Sequence, residues 1–342
     1  MSHLCSKLNQ SKILENNKAP KKELVSIIIL SFNDLEHLQK LLPSMYNQSY
    51  DNIEIIVIDN ANNERVQEYI KNQPKVKLVI SKENLGYSGG NNLGVKHANG
   101  NFIFILNSDT WLERNAIDEL VKKAKENPKI GVVVPKVMIR DTNIINSIGK
   151  KLKDLHWGGI VTNIGGYEED VGQYDEPKKV FSHDGAAFLV KREVINQVGL
   201  FDEVYFFMGE TVDFTLHVNM AGYEIITCPS AVVHHYMEGS INKNKLSGSD
   251  FKLRHGIRNE YITIFKNYEL KTILELLPLK LIHTFGWAIQ LCLKKNMQGA
   301  LQIIFGMYDF LWLIPYCIKK RKEISKFRRF TDREIFNIGR KE

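Results

Sequence analysis

The chain is 342 residues long, 44% hydrophobic and 25% charged, with a formal net charge of +7. That is ordinary globular composition for one large domain or two. The four scattered cysteines (Cys5, Cys228, Cys292 and Cys317) exclude a disulfide scaffold or cysteine-built metal module and favour a reducing, cytosolic setting.

Residues 1–24 are polar, rich in Lys and Asn, and lack the apolar core of a signal peptide. Disorder is expected there. Val25 to Leu30 is an apolar run interrupted only by Ser26, as a strand buried on both faces requires. Asp34 can cap the next helix, whose Leu35, Leu38, Leu41 and Leu42 share one face. Ile53 to Ile58, Lys75 to Ile80 and Phe102 to Leu106 read as the next three strands, with helical stretches between them. This alternation predicts an α/β fold with a doubly wound, mostly parallel sheet. The strands stop on polar residues: Ser31 to Asn33, Asp59-Asn60, Asn84, and Asn107 to Asp109. Polar strand ends along one edge of such a sheet describe a binding crevice.

A helix is expected over Leu112 to Asn127. From Gly131 to Ser182 the pattern weakens. Gly158-Gly159 and Gly165-Gly166 mark turns, with Trp157, Tyr167 and Tyr174 spread between them, and strands and loops are expected over the far side of the crevice. Phe181 to Asn219 returns to a strand-helix rhythm, and helices follow Ile257.

Several pieces can carry chemistry, each with a plainer alternative. Asp109 ends an apolar strand, where its oxygens suit a hard cation such as Mg²⁺ or Mn²⁺; it can equally cap the following helix. Asn84-Leu-Gly-Tyr-Ser-Gly-Gly-Asn-Asn-Leu-Gly94 is a glycine-rich turn entering a helix. It fits either a phosphate seated on the helix N-terminus or a simple connection. Asp59 can accept from a nucleobase or ribose, or bond its own turn. Glu210 and Asp213, three apart, share a helix face; they fit a base and its helper, or first-turn acids favoured by the helix dipole. His234 and His235 follow another apolar run and point to opposite faces of a strand, so only one can join Asp109 at a cation.

In order, Val25-Ser-Ile-Ile-Ile-Leu-Ser-Phe-Asn33, Val57-Ile-Asp-Asn60, the glycine-rich Asn84 to Gly94, Leu106-Asn-Ser-Asp109 and Asp184-Gly-Ala-Ala187 are followed by Gly199-Leu-Phe-Asp-Glu203, Ala221-Gly-Tyr223, Pro229-Ser-Ala-Val-Val-His-His235, Gly239-Ser240 and Arg258-Asn259. This ordered set, from Val25 to about Asn267, resembles family 2 glycosyltransferases of the GT-A fold, the rhamnosyltransferase-like members in particular. The resemblance implies inverting transfer of a sugar from a nucleotide-sugar to a glycan or lipid-linked glycan acceptor. It places Ser31, Asn33 and Asp59 in the nucleoside pocket, with Asn84, Gly86, Asn92 and Asn107 helping to form it. It makes Asp109 and His235 the ligands of Mg²⁺ or Mn²⁺ and puts Asp184 near the sugar or acceptor. One departure matters: the family writes Glu-Asp-x-Asp where this chain has Glu210-Thr-Val-Asp213, so the usual base is Thr211 here, and an expected Arg is His217. Thr cannot act as a base at neutral pH. Either Glu210 or Asp213 takes the role, with Glu210 preferred, or the chain is an impaired relative that binds without turnover. A dinucleotide-binding oxidoreductase would need a Gly-x-Gly-x-x-Gly turn where Ser31-Phe32-Asn33 stands.

Leu276 to Leu293 and Ala300 to Ile318 are near the length of a bilayer span, yet contain Pro278, Lys280, His283, Asp309 and Pro315, and are flanked by Lys294-Lys295 and a basic tail at Lys319 to Lys322 and Lys326 to Arg329. Three readings compete: an interfacial hairpin, packing against the catalytic domain, and two spans. The first is preferred. The organisation expected is therefore a catalytic domain over 25–267 and a helical extension over 268–342 touching the cytosolic face of the membrane, with no nucleic acid among the partners.

Overall fold

The structure, a computed structural model, describes residues 22–154, 160–236 and 246–338. The disorder expected for residues 1–21, the Trp157 to Gly159 turn and Gly239-Ser240 lie outside them. In chain order come β1 (Val25–Ser31), α1 (Leu35–Tyr46), β2 (Ile53–Asp59), α2 (Glu64–Lys71), β3 (Val76–Ile80), α3 (Gly86–His97) and β4 (Phe102–Asn107). Next are β5 (Thr110–Leu112), α4 (Ala116–Lys125), β6 (Ile130–Ile139), β7 (Ile145–Ser147), β8 (Lys150–Asp154), β9 (Ile160–Asn163), β10 (Lys179–Val180), β11 (Ala187–Lys191) and α5 (Arg192–Val198). A 3₁₀ turn at Glu203–Tyr205 leads to α6 (Glu210–Met220), β12 (Glu224–His235), α7 (Leu246–Asn267), α8 (Leu270–Leu293), α9 (Met297–Ile324) and α10 (Asp332–Ile338).

One mixed sheet runs in the order β10-β12-β6-β11-β4-β1-β2-β3, and the stretch β4-β1-β2-β3 is parallel. Ile27, Ile28, Ile29, Ile56, Val57, Ile58 and Ile103 to Ile105 are shut away from solvent because helices cover both faces. β11 enters antiparallel between β4 and β6, which makes the second half of the sheet mixed. The register sets Ser31 beside Asp59 and Leu30 beside Asn107. From β1 the chain goes to β2 on one side and later to β4 on the other. The crevice therefore opens at the carboxyl ends of β1 and β4.

Two local expectations are corrected. The helix expected from Leu112 begins at Ala116, because Thr110 to Leu112 pair with β12 as β5. Asp34 does not cap α1 with its side chain; its carboxylate instead accepts the hydroxyls of Ser31 and Ser108, fastening the ends of β1 and β4.

At the C-terminus, α8 and α9 are each long and apolar enough to cross a membrane by length and composition. α9 lies against α7. A Cβ at Gly306 would come within 2.5 Å of the Arg254 carbonyl oxygen, so glycine permits the approach. Phe310 stacks on Tyr261 at 5.3 Å, Arg254 clasps Asp309 at 2.6 and 2.8 Å, and Arg321 donates to the carbonyls of Phe265 and Tyr268. Lys280 of α8 is buried and paired with Glu260 of α7. The outward faces are bare and apolar, with Leu274, Ile282, Phe285 and Ile289 on α8 and Leu301, Tyr308, Leu311 and Trp312 on α9.

A buried ionic knot joins these helices to α6. Lys266, 1% exposed, donates to Asp202 at 2.6 Å and Asp213 at 2.8 Å. Tyr316 also donates to Asp202, and Tyr205 and Asn267 donate to Asp213. Burial alone would push the Asp213 carboxyl up, but the charges of Lys266 and His217 and bonds from Lys266 and Asn267 hold it below the ordinary range. Its contribution to stability is thus present above that range and lost as the pH falls through the lowered value. Removing the cation would leave Asp202 and the buried Asp213 without their shared countercharge. Lys266→Met should therefore lower the unfolding free energy by about 3–5 kcal/mol in urea titration. A loss below about 1 kcal/mol, the scale of a surface pair, would contradict this role.

Candidate active site

β5 pairing sets Thr110 opposite His235, which brings Asp109 beside that imidazole. His235 Nε2 lies 3.2 Å from Asp109 Oδ1, and its Nδ1 lies 3.0 Å from Asn146 Oδ1. An amide oxygen only accepts, so Nδ1 carries the proton. Nε2 then turns a lone pair toward a carboxylate oxygen unless a proton or a cation lies between them. Burial would push the Asp109 carboxyl up and the His235 imidazole down, but their mutual bond and charge reverse both shifts. His234 points to the opposite face, against Trp111 at 5.0 Å and Glu113 at 3.4 Å. Ligand atoms bound to one cation at about 2.1 Å stand about 3 Å apart on an octahedral edge, and the Asp109–His235 pair matches that spacing. Among the described residues no group of three or more His, Cys, Asp or Glu gathers at one point. A divalent ion held here would take its remaining ligands from elsewhere, as a diphosphate and water can supply.

The expected nucleoside end is tied up in its own bonds. Asp59 is buried and accepts the amides of Ala61 and Asn63 at 3.2 and 2.8 Å and the Gln67 amide at 2.9 Å. Asn33 adopts φ 60° and accepts from Asn63 at 2.8 Å, while Ser31 donates to Asp34. Asn60 links the end of β2 to Asn84 at 3.0 Å. The phosphate reading of the glycine-rich turn is corrected. The Gly86 amide is taken by Asn84 at 2.9 Å, and the Tyr87 and Ser88 amides by the Phe206 carbonyl at 2.7 and 3.2 Å. Gly86 has φ +66°, and a Cβ there would meet that carbonyl oxygen at 2.4 Å. Asn92 holds Phe201 and Glu203. Asn92 thus fastens α3 to the 201–208 segment, Gly86 permits the close approach of Phe206, and Asn84 ties the turn to Asn60. Asn107 sits at the end of β4, its amide on the Ala186 carbonyl at 2.8 Å.

The third part of the site surrounds Tyr87. Its hydroxyl donates to the Gly185 carbonyl at 2.6 Å, and burial, with the nearby charges of Glu210, Asp184 and Asp109, pushes that phenol far up. Asp184 caps the Ala186 amide at 2.9 Å and faces Lys150 at 3.9 Å. Glu210 opens α6 and is 7% exposed. One of its oxygens accepts from Thr211 at 3.2 Å, and the other is buried with no hydrogen-bond partner. Burial pushes its carboxyl up, against the bond from Thr211 and the charge of Lys150. Asp213, expected as a catalytic partner, has its oxygens taken by Lys266, Asn267 and Tyr205 in the buried knot. His217 Nε2 donates to Asn267 Oδ1 at 2.8 Å in the same knot.

Residues 26–199 match the model of glycosyl transferase family 2. The chain belongs to that family. Within glycosyl transferase family 2, it is 26% identical over 223 residues to the poly-β-1,6-N-acetyl-D-glucosamine synthase of Staphylococcus epidermidis, covering 64% of this chain and 52% of that enzyme. The chain therefore spans about half the length of that relative. It is 23% identical over 248 residues to the N-acetylglucosaminyl-diphospho-decaprenol L-rhamnosyltransferase of Mycobacterium tuberculosis, covering 66% of this chain and 80% of that one. The mannosyltransferase of Pyrobaculum calidifontis, solved in complex with GDP-Man and Mn²⁺, shares the fold with a TM-score of 0.53 at 16% identity, over 95% of this chain and 92% of that one. The sequence reading of a GT-A-like, mostly parallel α/β sheet thus holds. Three residues of this family 2 site escaped it. Asn146 and Lys150 lie in the stretch of weak pattern, where no spacing marks them. Tyr87 stands inside the glycine-rich motif, where nothing in the spacing marks its hydroxyl.

Proposed function

We propose that the chain transfers a sugar, with inversion, from a nucleoside diphosphate sugar to a glycan or lipid-linked glycan acceptor. The convergence of the Asp109–His235 pair and the buried, half-unpartnered Glu210 around Tyr87 and Gly185 carries this reading. By their names, one relative above makes a polysaccharide and the other rhamnosylates a diphosphodecaprenol-linked sugar, which supports that acceptor class. Asp109 and His235 would hold Mg²⁺ or Mn²⁺, which when bound supplies positive charge to a departing diphosphate. Asn146 orients His235 for that duty. Glu210 takes the proton of the acceptor hydroxyl as it attacks. A carboxyl pushed up by burial holds a proton more strongly than an ordinary one, which suits a base. Thr211 steadies it from its neighbouring position. Asp184, beside Lys150, faces the sugar or acceptor side. Release of nucleoside diphosphate from a panel of nucleotide-sugars, with Mn²⁺ and glycan or polyprenyl-diphosphate acceptors, tests the reading. Acceptor-dependent release is expected, and its absence across the panel contradicts transfer.

Residues 25–267 form the transferring unit in this proposal, and 268–342 attach it to the cytosolic face of a membrane. α9 is fastened to α7 through Arg254, Gly306, Phe310 and Arg321, which supports an interfacial placement over two spans. The bare apolar faces with basic flanks are what an interfacial helix presents to anionic lipid. Deleting both helices would strip cover from α7, so point changes are the cleaner test. Ile282→Ser, Phe285→Ser and Trp312→Ser together should release the chain from anionic liposomes in co-sedimentation while leaving its melting temperature in place. Equal sedimentation of the triple variant and the parent contradicts this attachment.

A further inference from the structure

We infer that Asn259 is a positioning residue for Glu210, clamping from α7 the loop that delivers that carboxylate into the site. What Glu210 does there rests on the functional reading above. The loop is Val204 to Gly209. Phe206 has φ 59°, Met208 φ 69° and Gly209 φ 92°, and Glu210 follows at once. Two non-glycine residues in the left-handed region persist only where their surroundings force them to.

The force comes mainly from one amide. Asn259 is completely buried, and its Nδ2 donates to the carbonyls of Tyr205 at 3.0 Å, Phe207 at 2.9 Å and Met208 at 2.6 Å. Two hydrogens serve three acceptors, so the group is saturated. Arg258 adds the carbonyls of Val204 at 2.9 Å and Tyr205 at 3.1 Å, and its Nε donates to Asn259 Oδ1 at 3.0 Å, fixing which way the amide faces. The remaining carbonyl, that of Phe206, is held from the other side by the Tyr87 and Ser88 amides. Every carbonyl from Val204 to Met208 is thereby accounted for. Tyr87 also carries the hydroxyl that holds Gly185. Loop, α3 and the Glu210 turn consequently move together or not at all. Because Glu210 keeps one oxygen unpartnered, its own bonds do little to hold it, and the backbone behind it sets where it points.

Asn259→Ser keeps one hydroxyl donor, and Asn259→Asp replaces the donor with acceptors facing three carbonyls. Both are made in the full-length chain. In Asn259→Ser, kcat should fall about a hundredfold, the scale of a small misplacement of a reacting group. Donor KM should stay within about twofold, since donor contacts are untouched. The acid limb of the kcat–pH profile should move to lower pH, because a loosened Glu210 gains water and loses the burial that raises its pKa. The Tyr87 and Ser88 amides should exchange with deuterium faster in both variants. Should Asn259→Asp fail to fold, Arg258→Ala frees the Val204 carbonyl and the Asn259 Oδ1 while leaving the three Nδ2 bonds, and should give the same signs with smaller size. Unchanged kcat in Asn259→Ser, or kcat and KM worsening together with the acid limb in place, overturns the positioning role. If the parent itself shows no transfer, the functional reading fails instead, and the exchange of Tyr87 and Ser88 then decides for or against the clamp.

Discussion

Glu210→Gln should lower the turnover of the parent chain by about two to four orders of magnitude, the scale of general-base catalysis. Gln keeps the size of the side chain and can still accept from Thr211, so the fold and donor binding should stay as they are. The parent should lose activity as the pH falls through the Glu210 pKa. That pKa lies above the ordinary carboxylate value because burial, the first of its causes, disfavours the charged form. The acid limb should therefore appear at a higher pH than a surface carboxylate would give, and should vanish from the residual activity of Glu210→Gln. Asp213→Asn is the informative contrast. Its carboxylate is committed to Lys266, so that change should cost stability first. Turnover of Glu210→Gln within a few-fold of the parent would remove Glu210 from the mechanism and leave Asp184 as the site carboxylate not already given to the cation or to the Lys266 knot.

The second large effect belongs to Asp109. Asp109→Ala should weaken Mn²⁺-dependent binding of a nucleoside diphosphate by at least about a hundredfold in calorimetry, with the melting temperature of the metal-free protein nearly unchanged. The strand pairing around it is made by the Thr110 and His235 backbone, and the side chain adds to it the one contact with His235 Nε2. Asn146→Ala, which only orients His235, should cost about ten- to a hundredfold in the same measurement. Binding of the diphosphate that is equally metal-dependent in Asp109→Ala would place the cation elsewhere.

The parts of the fold legible in the sequence are those whose burial leaves a local trace. β1, β2 and β4 are covered on both faces, so each reads as a mainly apolar run, interrupted only by Ser26 in β1 and Glu54 in β2, and the register of those runs fixes where Ser31, Asp59 and Asn107 must fall. Elements whose partners are remote in sequence left none. Thr110 to Leu112 has helical neighbours in sequence and becomes a strand because β12, more than a hundred residues later, offers an edge. Asp34 has the place of a helix cap, yet two strand-end hydroxyls outbid the helix amides. At the site, the residue types of Asp109, His235 and Glu210 were visible, and only the fold shows the distance of 3.2 Å in the first pair and the missing partner of the third. The glycines of α3 were visible too, but their use was not. The backbone donors of that turn face the Phe206 carbonyl, a contact that no spacing within the motif encodes.

Proton NMR of the product formed by the purified parent chain, from an active nucleotide-sugar and acceptor with Mn²⁺, tests the central claim most directly. A base opposite the departing diphosphate requires attack from the far face of the sugar. The anomeric proton of the product should therefore show the configuration opposite to that of the donor, in the parent and in whatever product Glu210→Gln still makes. A product that keeps the donor's configuration would contradict single-step attack and the role given to Glu210.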